Sequence, residues 1–141
     1  MKALSIRQPW AHFILHHGKD IENRTKRTRL RGQFLIHVSA TMTRDEFNDA
    51  NNFAIATGHA TPFDVPSREQ LALGGIIGSV ELVDCVDDSE SVWYMGYKGY
   101  VLRDPRPMPF IPYRGQLGFF EVPDSVLGEH LHEHTRAGNG Q

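Results

Sequence analysis

The segment 75–83 most constrains the fold, because it is short and apolar nearly throughout. Such a run predicts a strand that is covered on both faces and therefore lies in the middle of a sheet. Segments 100–103 and 107–111, separated by Asp104-Pro105, and segment 117–122 predict further short strands. Because the links between these strands are short, they favour antiparallel pairing or a small barrel.

The first half of the chain predicts helices between further strands. Strands are expected at 3–6 and 33–39, and segment 21–25 predicts a strand or an extended turn. A helix opens at Pro9 and Trp10, with Pro9 as its first residue, and ends at Gly18. Two capping boxes, at Thr43-x-x-Glu46 and at residues 67–70, begin a helix to about residue 57 and a shorter one. The sequence thus predicts an α+β fold with a curled sheet.

Length and composition indicate one globular domain, placed at residues 1–125, with a partly disordered C-terminal tail at 126–141. No apolar run approaches the roughly 18–20 residues of a membrane span, and the start of the chain lacks a signal peptide. The lone Cys85 fits a reducing compartment, so we expect a cytoplasmic protein without a membrane partner. The histidines lack the convergent ligands of a zinc site, so no metal or other cofactor is expected.

Charge is distributed unevenly, although the net charge of the chain is only −2. Residues 1–40 carry a net charge of +6 and residues 41–141 a net charge of −8. Segment 24–31 alone contains five cations: Arg24, Lys26, Arg27, Arg29 and Arg31. This density indicates either a basic face for a phosphate backbone or a solvated segment that the acidic remainder balances.

Three charged residues, Lys19, Glu22 and Arg24, stand at short fixed spacing, and Arg24 is also the first residue of that segment. Glu22 and Arg24 share one side if the backbone is extended, and they form either an exposed ion pair or part of a cleft wall. In a cleft, Arg24 would offer a planar fork to phosphate, and Glu22 would accept from a base amino group. Lys19 is either a surface lysine at the end of a helix or a cleft residue.

An ordered set of motifs resembles the ASCH (activating signal cointegrator homology) domain family over residues 3–122. The family's Gly-x-Lys-x-x-Glu-x-Arg motif is matched by Lys19, Glu22 and Arg24, with the glycine displaced by one position to Gly18. Further matches are the opening at residues 4–11, the Arg31-Gly32 pair, segments 74–85 and 93–102, and the closing segment 114–118.

The resemblance implies a PUA-like fold, a small, partly open mixed or antiparallel β-barrel with flanking helices, and a cleft beside Lys19. It also implies an RNA-binding or DNA-binding role, while some members look like amidohydrolases on modified nucleosides and others like nucleases. We therefore expect nucleic acid or a modified nucleotide as the partner. The expected contacts are Gln8, Trp10, Lys19, Glu22, Arg24, Lys26, Arg27, Arg29, Arg31, His37 and Ser39.

Several of these contacts have a second interpretation. Trp10 is either a core residue or a stacking platform, and Gln8 is either a helix cap or a reader of base edges. If Phe34, Ile36 and Val38 face the core, His37 and Ser39 face solvent or the cleft.

Two other functions remain open from the sequence. The first is a hydrolase, an amidohydrolase on a nucleoside such as acylated cytidine or a metal-independent ribonuclease, with Lys19 and Glu22 as catalytic residues. A base at Lys19 would have to be partly neutral, and Glu22 opposes this because a carboxylate stabilises the ammonium. The second is a protein-interaction module that uses the acidic segment 84–90.

Overall fold

The computed structural model describes residues 1–128, which form one mixed six-stranded sheet with three α-helices around it. The strands are β1 (Lys2–Ile6), β2 (Ile21–Arg24), β3 (Gly32–Val38), β4 (Gly75–Val86), β5 (Lys98–Pro112) and β6 (Phe119–Glu121). The helices are α1 (Trp10–His16), α2 (Arg44–Ala56) and α3 (Asp124–Leu127), with one turn of 3-10 helix at Arg68–Gln70.

The strand order across the sheet is β2-β5-β4-β3-β1-β6. Only β1 and β3 run parallel, and every other neighbouring pair is antiparallel. The sheet curls into a half-barrel, which confirms the predicted α+β class and the partly open mixed barrel with flanking helices. β2 at one edge approaches β1 near the other edge, since the Arg24 Nη2 donates to the Ser5 carbonyl over 2.7 Å. We call this gap between the two edges the seam.

Apolar side chains cover both faces of the central strands. One face packs Leu4, Phe34 and Val80 into a core inside the curl of the sheet. The opposite face carries a second core that includes Leu35 and Phe120. A third cluster lies where α1 and α2 meet Trp93. The segment predicted as the central strand therefore lies in the middle of the sheet, as β4.

Helix boundaries follow the local sequence signals. The capping box at Thr43 and Glu46 begins α2, as predicted, with reciprocal bonds of 3.1 and 2.8 Å. Pro9 is the N-cap residue of α1 and Trp10 is its first helical residue, so the helix begins one residue later than predicted. Gly18 takes a φ of 73°, a conformation that glycine adopts without a steric penalty, and the chain turns there from α1 toward β2.

Two strands of the sheet are longer than predicted. The segments expected as separate strands around Asp104-Pro105 form one strand, β5. Register shifts against β4 and a positive φ of 55° at Asp104 absorb the irregularity without ending the pairing. β4 also continues to Val86, beyond the predicted end at residue 83, because Cys85 and Val86 pair with β5.

Helix α3 spans the position at which the domain boundary was predicted, residue 125. Leu127 is fully buried against the second core, where Ala3 and Val122 also pack. α3 therefore packs on the sheet through Leu127, and the division of the chain at residue 125 stays a prediction. The predicted disorder and the histidines at 130, 132 and 134 lie outside the described residues.

Candidate functional site

Two cavities in the seam and a third beside them adjoin through shared residues and together form a cleft. The Trp10 cavity, of about 470 Å³, lies between β1, the end of β2 and segment 116–118. The Tyr100 cavity, of about 440 Å³, extends it past residues 24–28 toward Phe119. The Lys19 cavity, of about 200 Å³, lies on the other side of Trp10 and Glu22. The fold therefore produces the cleft that the resemblance implied.

The three charged residues of the family motif meet at this cleft. The Lys19 Nζ donates to Glu22 Oε1 over 3.3 Å and to the Ile21 carbonyl. The Arg24 Nε donates to Glu22 Oε2 over 2.9 Å, so the carboxylate lies between two cations. Glu22 and Arg24 share one side because β2 is extended, as the sequence predicted. The arrangement holds each side chain in one position through its neighbours.

Lys19 lies almost completely inside the protein. Its side chain is 3% exposed, and Glu22 is 10% exposed. Burial lowers the pKa of Lys19, because an ammonium loses its hydration there, and this effect outweighs the opposing influence of Glu22. Lys19 is therefore a cleft residue and not a surface lysine. Glu22 acts in the direction expected from the sequence, because its carboxylate raises the pKa of Lys19.

Trp10 is both a core residue and a wall of the cleft. Its ring meets Phe13, Phe53 and Trp93 edge-on at centroid distances of 5.9, 6.0 and 6.4 Å. The same residue lines both the Trp10 cavity and the Lys19 cavity. Aromatic packing therefore fixes an indole that remains partly accessible from the seam.

Arg24 combines a fixed position with unused donors. Its Nε and Nη2 bind Glu22 and the Ser5 carbonyl, and its side chain is 28% exposed. Within residues 1–128 no hydrogen bond engages its Nη1, which leaves two N–H groups. Arg24 lines both large cavities. A guanidinium held in this way can bind an anion without first losing side-chain freedom.

The basic segment beyond Arg24 lies at the surface, and acidic residues pair with part of it. Arg27 and Lys98 each bind Asp87 Oδ1 at 2.6 Å, and Arg31 lies 3.7 Å from Asp84. Lys26 and Arg29 are exposed and form no ion pair within residues 1–128. Lys26 and Arg27 line the Tyr100 cavity. The acidic remainder therefore balances part of the segment, and a phosphate-binding role for the rest of it stays a prediction.

Gln8 is a helix cap and has little capacity left to read a base. Its Oε1 accepts from the His12 amide over 3.0 Å, and its Nε2 donates to the Ala72 carbonyl over 3.1 Å. The residue is 2% exposed. This geometry favours the capping interpretation over base-edge recognition.

His37 does not face solvent or the cleft, so that expectation is wrong. Residues on both faces of β3 are buried, and His37 is 2% exposed against Phe120. Its Nδ1 lies 2.5 Å from the Ser5 Oγ, and its Nε2 lies 2.6 Å from the Tyr113 carbonyl. Because a carbonyl only accepts, Nε2 carries the proton of that bond. Ser39, in contrast, lines the Trp10 cavity, as expected.

The His37 contacts secure a loop that sequence analysis did not assign to the site. Residues 113–118 join β5 to β6, and Gln116 and Leu117 line the Trp10 cavity. At Gly115 any Cβ would come within 2.5 Å of the Ser5 Oγ, so the loop packs directly on the pair of Ser5 and His37. The sequence signal was the closing motif at 114–118, whose two glycines flank Gln116 and Leu117.

Asn23 and Thr25 also line the cleft without having been predicted. The Asn23 Nδ2 donates to the Trp93 carbonyl over 2.9 Å, and its Oδ1 accepts from the Met95 amide over 2.8 Å. Thr25 lines both large cavities, although strand alternation would place it opposite Glu22 and Arg24. The alternation does not apply to Thr25, because β2 ends at Arg24.

Chemically, the cleft offers an aromatic wall, a carboxylate acceptor and an oriented guanidinium. Within residues 1–128, no three His, Cys, Asp or Glu side chains converge in the manner of metal ligands. Nor does that part of the chain contain a helix long and apolar enough to cross a membrane.

Comparison with known proteins identifies the family. A family model for the ASCH domain matches residues 4–107. The chain belongs to the ASCH domain family. The match includes Lys19, Glu22 and Arg24, and it ends before the loop that carries Leu117. No curated protein matches the chain.

Solved structures show the same fold. The chain is similar to the crystal structure of ASCH from Zymomonas mobilis, with 13% identity and a TM-score of 0.51 over 93% of each chain. It is also similar to the structure of a tyrosine-to-phenylalanine mutant of that protein, with 13% identity and a TM-score of 0.50 over 93% of this chain and 96% of the other. At this identity the likeness extends to the fold alone.

Proposed function

We propose that this ASCH protein binds nucleic acid in the seam, with Trp10 and Glu22 at a base and Arg24 at a phosphate. A nucleic-acid-related role is general for the family. The observation that carries the proposal is the position of Arg24, whose Nη1 is unengaged within residues 1–128 between two cavities that each contain an aromatic side chain. An oriented guanidinium beside aromatic side chains suits a phosphate that joins stacked bases.

The other cations have different roles in this proposal. Lys19 binds the Glu22 carboxylate from inside the protein and positions it, since its ammonium donates to Glu22 and Ile21. Lys26 and Arg29, exposed and without an ion pair in the described part of the chain, attract the phosphate backbone. Recognition at a fixed site and attraction along a surface are therefore assigned to separate residues.

The test is fluorescence anisotropy with short labelled RNA and DNA oligonucleotides at several salt concentrations. Arg24→Ala is expected to weaken binding about tenfold to a hundredfold, as the loss of a charge-assisted contact predicts. Arg103→Ala is the matched control, because Arg103 pairs with Glu81 at 2.9 Å and does not line the cleft. If wild-type protein shows no binding at low salt, or both variants bind equally, the proposal fails.

The state of Lys19 favours a second candidate function, a hydrolase acting on a modified nucleoside. Lys19 is buried beside a cavity, and its pKa lies below the ordinary value because of that burial. A neutral Nζ would take a proton from a water molecule while the water oxygen attacks the acyl carbon. The bond between the acyl carbon and the amine nitrogen would then break, and the nitrogen would receive a proton. This candidate requires the neutral amine, whereas the binding proposal does not.

Incubation with acylated cytidine and with labelled RNA tests the second candidate. Product formation is expected to rise with pH through the lowered pKa of Lys19 and to disappear in Lys19→Met. Glu22→Gln removes the group that favours the charged amine, so the profile would move to lower pH. Identical product yields from wild type and Lys19→Met would eliminate this function and leave the binding proposal intact.

A further inference from the structure

We infer that the seam accepts a single strand of at least two nucleotides and that Leu117 separates the two bases. This inference rests on the proposed function and specifies the class of ligand. It depends on how the two large cavities meet. The Trp10 cavity and the Tyr100 cavity share Arg24, Thr25, Leu117 and Gly118.

The first argument is the repeated composition of the two cavities. Each contains aromatic side chains of its own, Trp10 in one and the stacked rings of Tyr100 and Phe119 in the other, of which Phe119 is the more exposed. Each also has a volume of about 440 to 470 Å³, within the range of small-ligand sites. Two neighbouring sites of similar size, each with an aromatic surface, match two successive bases.

The second argument is what lies at the junction of the cavities. Arg24 belongs to both, and two successive bases are joined by one phosphodiester. Its N–H groups that have no partner within residues 1–128 are therefore located where that phosphate would lie. A lone nucleoside would fill one cavity and leave this guanidinium without its phosphate.

The third argument is the exposure and the support of Leu117. Its side chain is 100% exposed, which in isolation is unremarkable for a surface leucine. Here, however, the residue belongs to both cavities, and its loop is held at the base. Gly115 packs on the Ser5 hydroxyl, and the His37 Nε2 binds the Tyr113 carbonyl over 2.6 Å. A supported apolar side chain at this junction would contact the faces of two bases that no longer stack on each other.

The composition of the junction also excludes a duplex as the preferred ligand. Aromatic and apolar side chains reach base faces only when the bases are unpaired and unstacked. A paired strand would offer only its phosphates to Arg24, while Trp10 and Leu117 would remain without a base.

The experiment compares a dinucleotide, the corresponding mononucleotide and a short duplex, each with wild type and with Leu117→Ala. Wild type is expected to bind the dinucleotide at least about tenfold more tightly than the mononucleotide, because only the dinucleotide reaches both aromatic sites. Leu117→Ala should weaken dinucleotide binding about fivefold and change mononucleotide binding less than about twofold, as loss of one apolar contact predicts. A 2-aminopurine in the dinucleotide should brighten on binding to wild type, since unstacking relieves quenching, and brighten less with the variant.

Phe63→Ala is the matched control, because Phe63 is 96% exposed, apolar and outside the three cavities. Both residues are exposed, so neither substitution should impair folding. If Leu117→Ala binds the dinucleotide as wild type does, or the duplex binds most tightly, the inference is overturned while the proposed function stands. If wild type binds no oligonucleotide, both fall.

Discussion

Two groups of charges in the first 40 residues differ in how the fold holds them. Lys19, Glu22 and Arg24 are buried or half-buried, and each binds another member of the group. Arg27 and Arg31 are about half exposed and pair with Asp87 and Asp84 from a distant part of the chain. The first group forms within a few residues of β2, whereas the second depends on contacts with segment 84–87.

Because of this difference, the two groups are expected to contribute to ligand binding in different ways. Buried charges interact strongly and keep their positions, so they can determine which ligand fits. Exposed charges interact weakly, are screened by salt, and mainly raise the rate and the general strength of binding. In this chain the densest run of cations therefore overlaps with the most precisely positioned charges only at Arg24.

Removing the carboxylate from the buried group gives the largest expected effect and tests the comparison most directly. Glu22→Ala leaves Lys19 either as an unpaired buried ammonium or as an amine forced to lose its proton. We expect the free energy of unfolding to fall by about 3–5 kcal/mol, measured by urea denaturation.

Asp87→Ala is the control for this prediction, since it removes a surface carboxylate that binds both Arg27 and Lys98. Its side chain is 62% exposed, so the unfolding midpoint should change little. Comparable losses of stability in both variants would show that burial does not distinguish the two groups.

The acidic partner of the exposed group should compete with nucleic acid. Asp87 Oδ1 binds Arg27 and Lys98 at 2.6 Å each, and these hydrogen bonds lower the pKa of its carboxyl. Asp87→Asn removes the negative charge and leaves both cations available to phosphate. We expect oligonucleotide affinity to rise about threefold to fivefold at low salt and by less at high salt.

Asp124→Asn is the matched control for charge, because Asp124 is 81% exposed and lies near the N-terminal amine, away from the basic segment. An equal rise in both variants would indicate a general effect of net charge. No rise in Asp87→Asn would show that Arg27 and Lys98 do not contact the ligand.

The fold was predictable to the extent that local patterns determine it. The capping box at Thr43, the helix end near Gly18 and the buried central strand all depend on neighbouring residues, and the structure contains each of them. The apparent break at Asp104 was misread because turn residues also occur in bulges. Only pairing with β4, which lies far away in sequence, shows that β5 continues.

The site was predictable where the family motif specifies it and less so elsewhere. Strand spacing placed Glu22 and Arg24 together, and the structure joins them at 2.9 Å. His37 was misplaced because alternation assumes one solvated face, whereas β3 is covered on both. Leu35 on the same face as His37 was a signal against solvent exposure, since a fully buried leucine there indicates a second core.

The contribution of segment 113–118 could not be predicted from local sequence. Leu117 reaches the cleft only because the sheet curls until β6 and β1 approach β2. Closure of this kind depends on the summed twist of all strands, and no short motif encodes it. The burial of Lys19 could not be predicted from local sequence either, because Trp10 and Met95, which line the same cavity, come from separate segments of the chain.

Arg29 allows the smallest test of the comparison. It is exposed and has no ion pair within residues 1–128, so its loss removes one unpaired surface cation without freeing a carboxylate. Arg29→Ala should weaken oligonucleotide binding only about twofold and lower the slope of log affinity against log salt by about 0.7. Arg24→Ala should cost more affinity for a similar change in slope, because it also removes an oriented hydrogen-bond donor. Anisotropy titrations of both variants over a salt series measure the two quantities together. If Arg29→Ala lowers affinity as much as Arg24→Ala does, attraction along the surface accounts for binding, and the fixed position of Arg24 contributes nothing beyond its charge.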